Sequence, residues 1–386
     1  VGPAWPYTAG FLARMKEYEA MQRGVLADPE GKYIIYLPVH TGMGNRIEGM
    51  VATFVVALLT DRAFIVDWDY TDPDTRLPRI AMTESAALDE PFPWGADLLA
   101  ARYEEQFIID HSLTYTLRGG KDTYEKESFV ETLCCGDMGA VFGDTQFIFI
   151  RGNKNFAQLL SLNHYYKEAL ETLFGRGVQR NMFTPLLNYL LRLLPEVQAE
   201  VDRVVATFQD KYVVGVQMRT TEKYSDLELL PVFTQCVDLA SRPEAYFYVS
   251  TDSLGARKML EREYGDRVLF YDGEEINMAK NHGRYRTNVR HGIVDIVALS
   301  RANDMVVSCG SSFSRLAVAL QESKPVYVAA GGNYCRKHGD ATTPACFRGL
   351  SNEPCAFNWF ENNLLKCTCL TQEDRIRESA ICGANM

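Results

Sequence analysis

Apolar positions along the chain follow two different periods that alternate within two separate stretches. The first stretch opens with Tyr33-Ile-Ile-Tyr-Leu-Pro-Val39, a run of strand length and strand composition. The loop His40-Thr-Gly-Met-Gly-Asn-Arg46 follows, and then residues 47–59, too long and too evenly apolar for a strand and read as a buried helix. Arg62-Ala-Phe-Ile-Val-Asp-Trp68 is the next strand. In the second stretch, strands are predicted at 212–218, 245–250, 267–271, 305–308 and 325–328, with helical periods at 231–240, 254–264, 289–302 and 313–320 between them. Strands that alternate with helices predict parallel sheets covered on both faces. Between the stretches, residues 185–208 read as a helix with Pro185 in its first turn and a leucine-rich face, kinked or broken at Pro195. Residues 69–152 carry no clear period and are expected to be irregular. The pattern therefore predicts two α/β domains, 1–207 and 208–386.

Composition narrows the class. The 386 residues hold 40 Lys plus Arg against 50 Asp plus Glu, a net charge of 40 − 50 = −10, and 47% are apolar. The apolar content excludes a disordered chain. The acidic balance argues against nucleic-acid binding through a broad basic surface, while leaving room for a local site for a small anion. The longest apolar run, residues 50–59, is far below the ~20 residues of a spanning helix.

Six of the ten cysteines lie between Cys335 and Cys382. That density fits a disulfide-stapled tail in an oxidising compartment. A zinc site is the competing reading, but Cys367 and Cys369 are too close for the usual pair and no second pair balances them. Cys309, at the end of a predicted core strand, and Cys236, in a predicted helix, are expected to be free. Cys134, Cys135 and the six tail cysteines are left to pair. No Asn-x-Ser/Thr acceptor occurs.

Ligands of open α/β sheets collect at the carboxyl ends of the strands. Arg219-Thr-Thr-Glu-Lys-Tyr-Ser-Asp226 follows one strand, Thr251 and Asp252 another, and Cys309-Gly-Ser-Ser-Phe-Ser314 a third, the last running into a helix. A cation, an acid and a hydroxyl-rich helix N-terminus at one sheet edge suit a diphosphate-bearing nucleotide. Each also has a plainer reading: Asp252-Ser253 as a helix cap, and Gly310-Ser311-Ser312 as an ordinary turn. The loop Gly42-Met-Gly-Asn-Arg-Ile47 is a poor dinucleotide fingerprint, because Ile47 stands where Gly or Ala is needed. Asp67-Trp-Asp69 and Asp72-Pro-Asp74 are read as solvated loop carboxylates. His40 and His282 have no partner at helical spacing, and no metal site is expected.

These residues resemble a known family. Gly42-Met-Gly-Asn-Arg-Ile47 with Ala57-Leu-Leu-Thr-Asp-Arg62 is similar to the opening of the plant xyloglucan-type fucosyltransferases, and Cys346-Phe-Arg-Gly-Leu-Ser-Asn-Glu-Pro-Cys355 to their terminal motif. Val214-Gly-Val-Gln-Met-Arg-Thr-Thr-Glu-Lys223, His282-Gly-Arg-Tyr285 with Gly292-Ile-Val-Asp-Ile-Val-Ala-Leu-Ser300, and Ser311-Ser-Phe-Ser-Arg315 also resemble motifs of the α-1,6-fucosyltransferases. The resemblance implies a GT-B fold, two Rossmann-like domains facing a central cleft, and inverting, metal-independent transfer from GDP-fucose bound by the C-terminal domain. Carried over residue by residue, it implies Arg219 at the β-phosphate, with Ser311, Ser312, Phe313 and Ser314 near the phosphates. Gln217, Lys223, Asp252, His282, Arg284, Tyr285 and Asp295 would lie near the donor, and Gly42, Gly44, Asn45 and Arg46 would approach from the other domain. The departures are Gln217 where the α-1,6 motif has histidine, Thr220 where it has a second arginine, and Leu227 at the position of its catalytic acid. The candidates for the base are Glu222, Asp226 and Glu228.

The expected activity is thus fucosyl transfer to a glycan, α-1,2 to a terminal β-galactose, with acceptor loops in 69–152 and no cofactor. The expected setting is the Golgi lumen, with a membrane anchor preceding Val1, or secretion. The alternatives are an α-1,6-type transferase on another glycan, and a glycan- or nucleotide-binding module without turnover. A weaker one is a dinucleotide oxidoreductase built on the first glycine loop.

Overall fold

In the computed structural model, which describes residues 7–39, 42–67, 88–89, 99, 101–117, 127–152, 156–175, 182–219, 226–240, 242–271, 285–308, 311–321, 326–330 and 334–338, the first of two units is built on a four-stranded parallel sheet. Its strands are β1 (Tyr33–Pro38), β2 (Ala63–Val66), β3 (Ser112–Leu117) and β4 (Phe147–Gly152), in the order β2-β1-β4-β3. All six residues of β1 are buried, as expected of a strand covered on both faces. Helix α1 (Ala9–Ala27) guards the free edge of β2: the Gln22 side chain donates to the Phe64 carbonyl at 2.8 Å and accepts from its N–H at 2.7 Å. The amide thus stands in for a further strand on an edge that would otherwise recruit one.

Helix α2 (Met43–Leu59) is buried along nearly its whole length, beginning four residues before the expected start. Two of the four strands, β3 and β4, and helix α3 (Glu127–Cys135) fall in the region expected to be irregular. That expectation is corrected: part of 69–152 is sheet and core rather than acceptor loop.

The helix expected over 185–208 is two. Helix α4 (Phe183–Leu190) ends at an extended Leu191, Arg192–Leu193 pairs with Leu88–Asp89, and Pro195 opens helix α5 (Pro195–Ala206) at its first position. The chain passes into the second unit between Leu191 and Arg192, not at the expected 207. The physical reason is what α5 packs on. Val197, Val201 and Val204 form its buried face. Glu200 accepts from the Tyr271 hydroxyl at 2.6 Å and pairs with Arg290 at 2.6 Å, all within the second unit.

The second unit contains β5 (Val213–Met218), α6 (Asp226–Ala240), β6 (Tyr246–Thr251), α7 (Leu254–Tyr264), β7 (Val268–Leu269), α8 (Tyr285–Arg301), β8 (Asp304–Ser308), α9 (Ser312–Leu320), β9 (Val326–Ala330) and β10 (Tyr334–His338). The sheet order is β10-β9-β8-β5-β6-β7, parallel except for the β9–β10 pair. Counted in chain order from β7, that is 3-2-1-4-5-6, the Rossmann order, and it places the topological switch point between β5 and β8. Val214, Val216, Phe233, Val237, Phe247 and Val306 pack together under α6.

Cys236 of α6 is bonded to Cys335 of β10, with Cα atoms 5.2 Å apart. The expectation of a free Cys236 is therefore corrected: the helix lies over the edge strand and brings the two thiols into range. Cys134 and Cys135 are also disulfide-bonded, and their sulfurs lie 3.8 Å apart, so they are not bonded to each other. Cys309 lies outside the described residues. No described helix is long and apolar enough to cross a membrane.

Candidate functional site

The switch point puts the ends of β5 and β8 side by side. The ladder between them runs to Gln217 opposite Val307. Beyond it the Ser308 hydroxyl takes over, accepting the Arg219 N–H at 2.7 Å and donating to the Gln217 carbonyl at 3.2 Å. The Gln217 side chain is buried and its Oε1 accepts from the Ser314 hydroxyl. Ser314 sits in the first turn of α9, where Ser311 is the N-cap and accepts the Ser314 N–H at 3.4 Å. Helix and strand are thereby tied where the first-turn N–H groups of the helix have no acceptor within it. Ser312 and Phe313 lie in that turn and are half-buried.

On the other side of β5, the register pairs Met218 with Thr251 of β6. Arg219 and Asp252 therefore leave neighbouring strands at the same level, and they form an ion pair of 2.9 Å. The Arg219 side chain is 42% exposed, that of Asp252 only 13%. The capping of α7 falls to Ser253, whose hydroxyl accepts the Ala256 N–H at 3.1 Å.

Asp295 lies behind this edge, on α8. It is buried and accepts from the Tyr248 hydroxyl at 2.6 Å and the Ser250 hydroxyl at 2.7 Å. Loss of hydration pushes its pKa above the usual carboxylate value, against the opposing pull of His291 and the two hydroxyls. Burial lowers the pKa of His291, one turn earlier on α8, whose ring meets that of Tyr271 edge-on at 4.3 Å.

Of the residues singled out from sequence, Gln217, Arg219, Asp252, Ser311, Ser312, Phe313 and Ser314 share this one sheet edge. Gly42, Gly44, Asn45 and Arg46 belong to the first unit, where Gly42 precedes α2 and the other three form its first turn, with Arg46 5% exposed. Asp226 and Glu228 stand in the first turn of α6, and Tyr285 opens α8. Glu222, Lys223, His282 and Arg284 lie outside the described residues. Ser308, which joins the two strand ends, was not singled out. Its only signal in the sequence is its place as the last residue of a strand.

A cation beside a helix N-terminus at a switch point binds a phosphorylated ligand through point charge, aligned N–H groups and hydroxyls. Comparison with known proteins finds fucosyltransferases. A family model described as xyloglucan fucosyltransferase matches residues 13–77. The Arabidopsis thaliana protein named probable fucosyltransferase 9 is 23% identical over 351 residues, 84% of this chain and 66% of that protein. The Arabidopsis thaliana galactoside 2-alpha-L-fucosyltransferase is 22% identical over 390 residues, 91% of this chain and 67% of that protein. The chain thus spans about two thirds of the length of these curated relatives. Among solved structures, a variant of Arabidopsis thaliana FUT1 in complex with GDP superimposes with a TM-score of 0.63 at 14% identity, over 88% of this chain and 85% of that one. The NodZ alpha-1,6-fucosyltransferase co-crystallised with GDP gives 0.53 at 13% identity, over 80% of this chain and 99% of that one. The fold is the GT-B fold of these fucosyltransferases, and the resemblance read from the motifs extends along most of the chain to the plant fucosyltransferases.

Proposed function

We propose that the protein is an inverting glycosyltransferase that moves fucose from GDP-fucose to a glycan, α-1,2 to a terminal β-galactose, in the Golgi lumen or after secretion. The observation that carries the reading is Arg219 beside the N-terminus of α9 at the Rossmann switch point. Relatives named as fucosyltransferases support the donor, and the galactoside 2-alpha-L-fucosyltransferase among them supports the linkage.

The chemistry follows from the charges that develop. Breaking the bond between sugar and phosphate leaves negative charge on the β-phosphate and positive charge on the sugar ring. The Arg219 guanidinium and the first-turn N–H groups of α9 stabilise the leaving diphosphate in place of a divalent ion. The acceptor hydroxyl attacks from the opposite face and gives its proton to a carboxylate within ~3 Å, drawn from Glu222, Asp226 or Glu228. No cofactor takes part in this scheme.

Calorimetry with GDP and a glycan array supplied with GDP-fucose test the proposal together. The wild-type chain is expected to bind GDP and to fucosylate a β-galactoside. Arg219→Ala is expected to lower the transfer rate about 10²–10³-fold. A chain that binds GDP yet labels no glycan is a binding module, and the transferase reading falls.

A further inference from the structure

Arg219 is held at both ends by residues to which the transfer reading gives no such role. Its backbone N–H is bonded to the Ser308 hydroxyl at 2.7 Å, and its guanidinium to the Asp252 carboxylate at 2.9 Å. We propose that Ser308 and Asp252 are positioning residues that set Arg219 in the orientation that meets the departing diphosphate. The inference rests on the reading of Arg219 as the phosphate ligand.

The backbone contact comes first. The ladder of β5 with β8 ends at the Gln217–Val307 pair and that with β6 at the Met218–Thr251 pair, so neither ladder fixes Arg219 itself. Ser308 does so across the switch point. Its buried hydroxyl is used twice, as acceptor for Arg219 and as donor to the Gln217 carbonyl. Gln217 in turn receives the Ser314 hydroxyl from α9. Arg219 and the helix N-terminus are therefore parts of one hydrogen-bonded frame.

The guanidinium contact comes second. An arginine side chain is long and has many rotamers, and a group that must stabilise charge at a fixed point acts best when that freedom is already removed. Asp252 removes it through Nη1. The guanidinium keeps its remaining donors, since it carries five N–H groups in a planar fork. The contrast in exposure, 42% against 13%, gives the two partners different duties: the carboxylate is enclosed while the cation still faces outward.

The experiment measures kcat, KM for GDP-fucose and GDP affinity by calorimetry in Ser308→Ala, Ser308→Thr and Asp252→Asn. Each is also combined with Arg219→Ala, and melting temperatures report folding. Ser308→Ala and Asp252→Asn are expected to lower kcat about 10–100-fold while GDP affinity falls far less. Ser308→Thr, which keeps the hydroxyl, is expected to restore most of the rate. In the Arg219→Ala background neither substitution should cost anything further, because the residue they serve is gone. If they cost as much with Arg219→Ala as without it, the inference is overturned while the transfer reading stands. A wild-type chain that does not bind GDP overturns both.

Discussion

Asp295 shows how much a residue's surroundings add to its identity. By motif it belongs near the nucleotide; in the fold its carboxylate faces the Tyr248 and Ser250 hydroxyls with 6% exposure. Burial is the largest influence on its pKa and raises it, with His291 and the hydroxyls pulling the other way. The sign of the stability effect follows. A carboxyl whose folded pKa lies above its unfolded value of about 3.9 binds its proton more tightly in the native state. The fold therefore loses stability as pH rises from that value through the raised one. Asn at this position has no such slope, and without the carboxylate His291 resists protonation further, which acts in the same direction. Asp295→Asn is therefore expected to melt closer to, or above, wild type at pH 7 than at pH 4. A melting difference that stays constant over that range would contradict a buried Asp295 with a raised pKa. Ser308 illustrates the opposite limit. A serine ending a strand has no signature of its own, and its role depends on a partner 89 positions away, set by strand register. Arg219 and Asp252 were legible because polar residues at strand ends stand out against apolar runs.

The elements divide in a similar way. The strands and helices of the second unit are close to their predicted positions, since near-continuous apolar runs bounded by polar loops mark buried parallel strands. Phe147-Ile-Phe-Ile150 is such a run too, yet β4 was not separated from the aromatic segment around it. Its place between β1 and β3 is a property of the sheet, which no local pattern encodes. Close seating of α2 on this sheet depends on Gly49. A Cβ there would fall 2.6 Å from the Gly152 carbonyl and 2.9 Å from the Tyr36 hydroxyl, which itself donates to that carbonyl at 2.9 Å. Neither the backbone of β4 nor a fully buried tyrosine can withdraw cheaply. Overpacking of about 1–3 kcal/mol, with a disturbed buried hydrogen bond, should outweigh the gain of about 1 kcal/mol from alanine's helix propensity. Gly49→Ala is expected to lower the urea midpoint with an unchanged slope. A midpoint equal to wild type would mean that α2 does not sit this close to β4.

At the scale of the whole molecule, a chain of net charge −10 is proposed to bind an anionic donor, so attraction must be local rather than a property of the overall field. The local features are Arg219, the first turn of α9 and the hydroxyl of Ser311, all in the second unit. In the proposed reading they meet the diphosphate rather than the nucleoside. Ligand binding to the native state alone adds about 2.7 kcal/mol at 100 times Kd. For a unit of this size that is a rise of about 5–10 °C in its melting transition. The β-phosphate should account for much of it, since charge-assisted hydrogen bonds contribute about 1.5–3 kcal/mol each. GMP, which lacks that group, should bind at least about tenfold more weakly and give half the shift or less at the same concentration. Arg219→Ala should bring the GDP shift down toward the GMP value and leave the GMP shift nearly unchanged. Equal shifts for GDP and GMP in the wild-type chain would show that the nucleoside is held elsewhere and that this sheet edge does not receive the diphosphate.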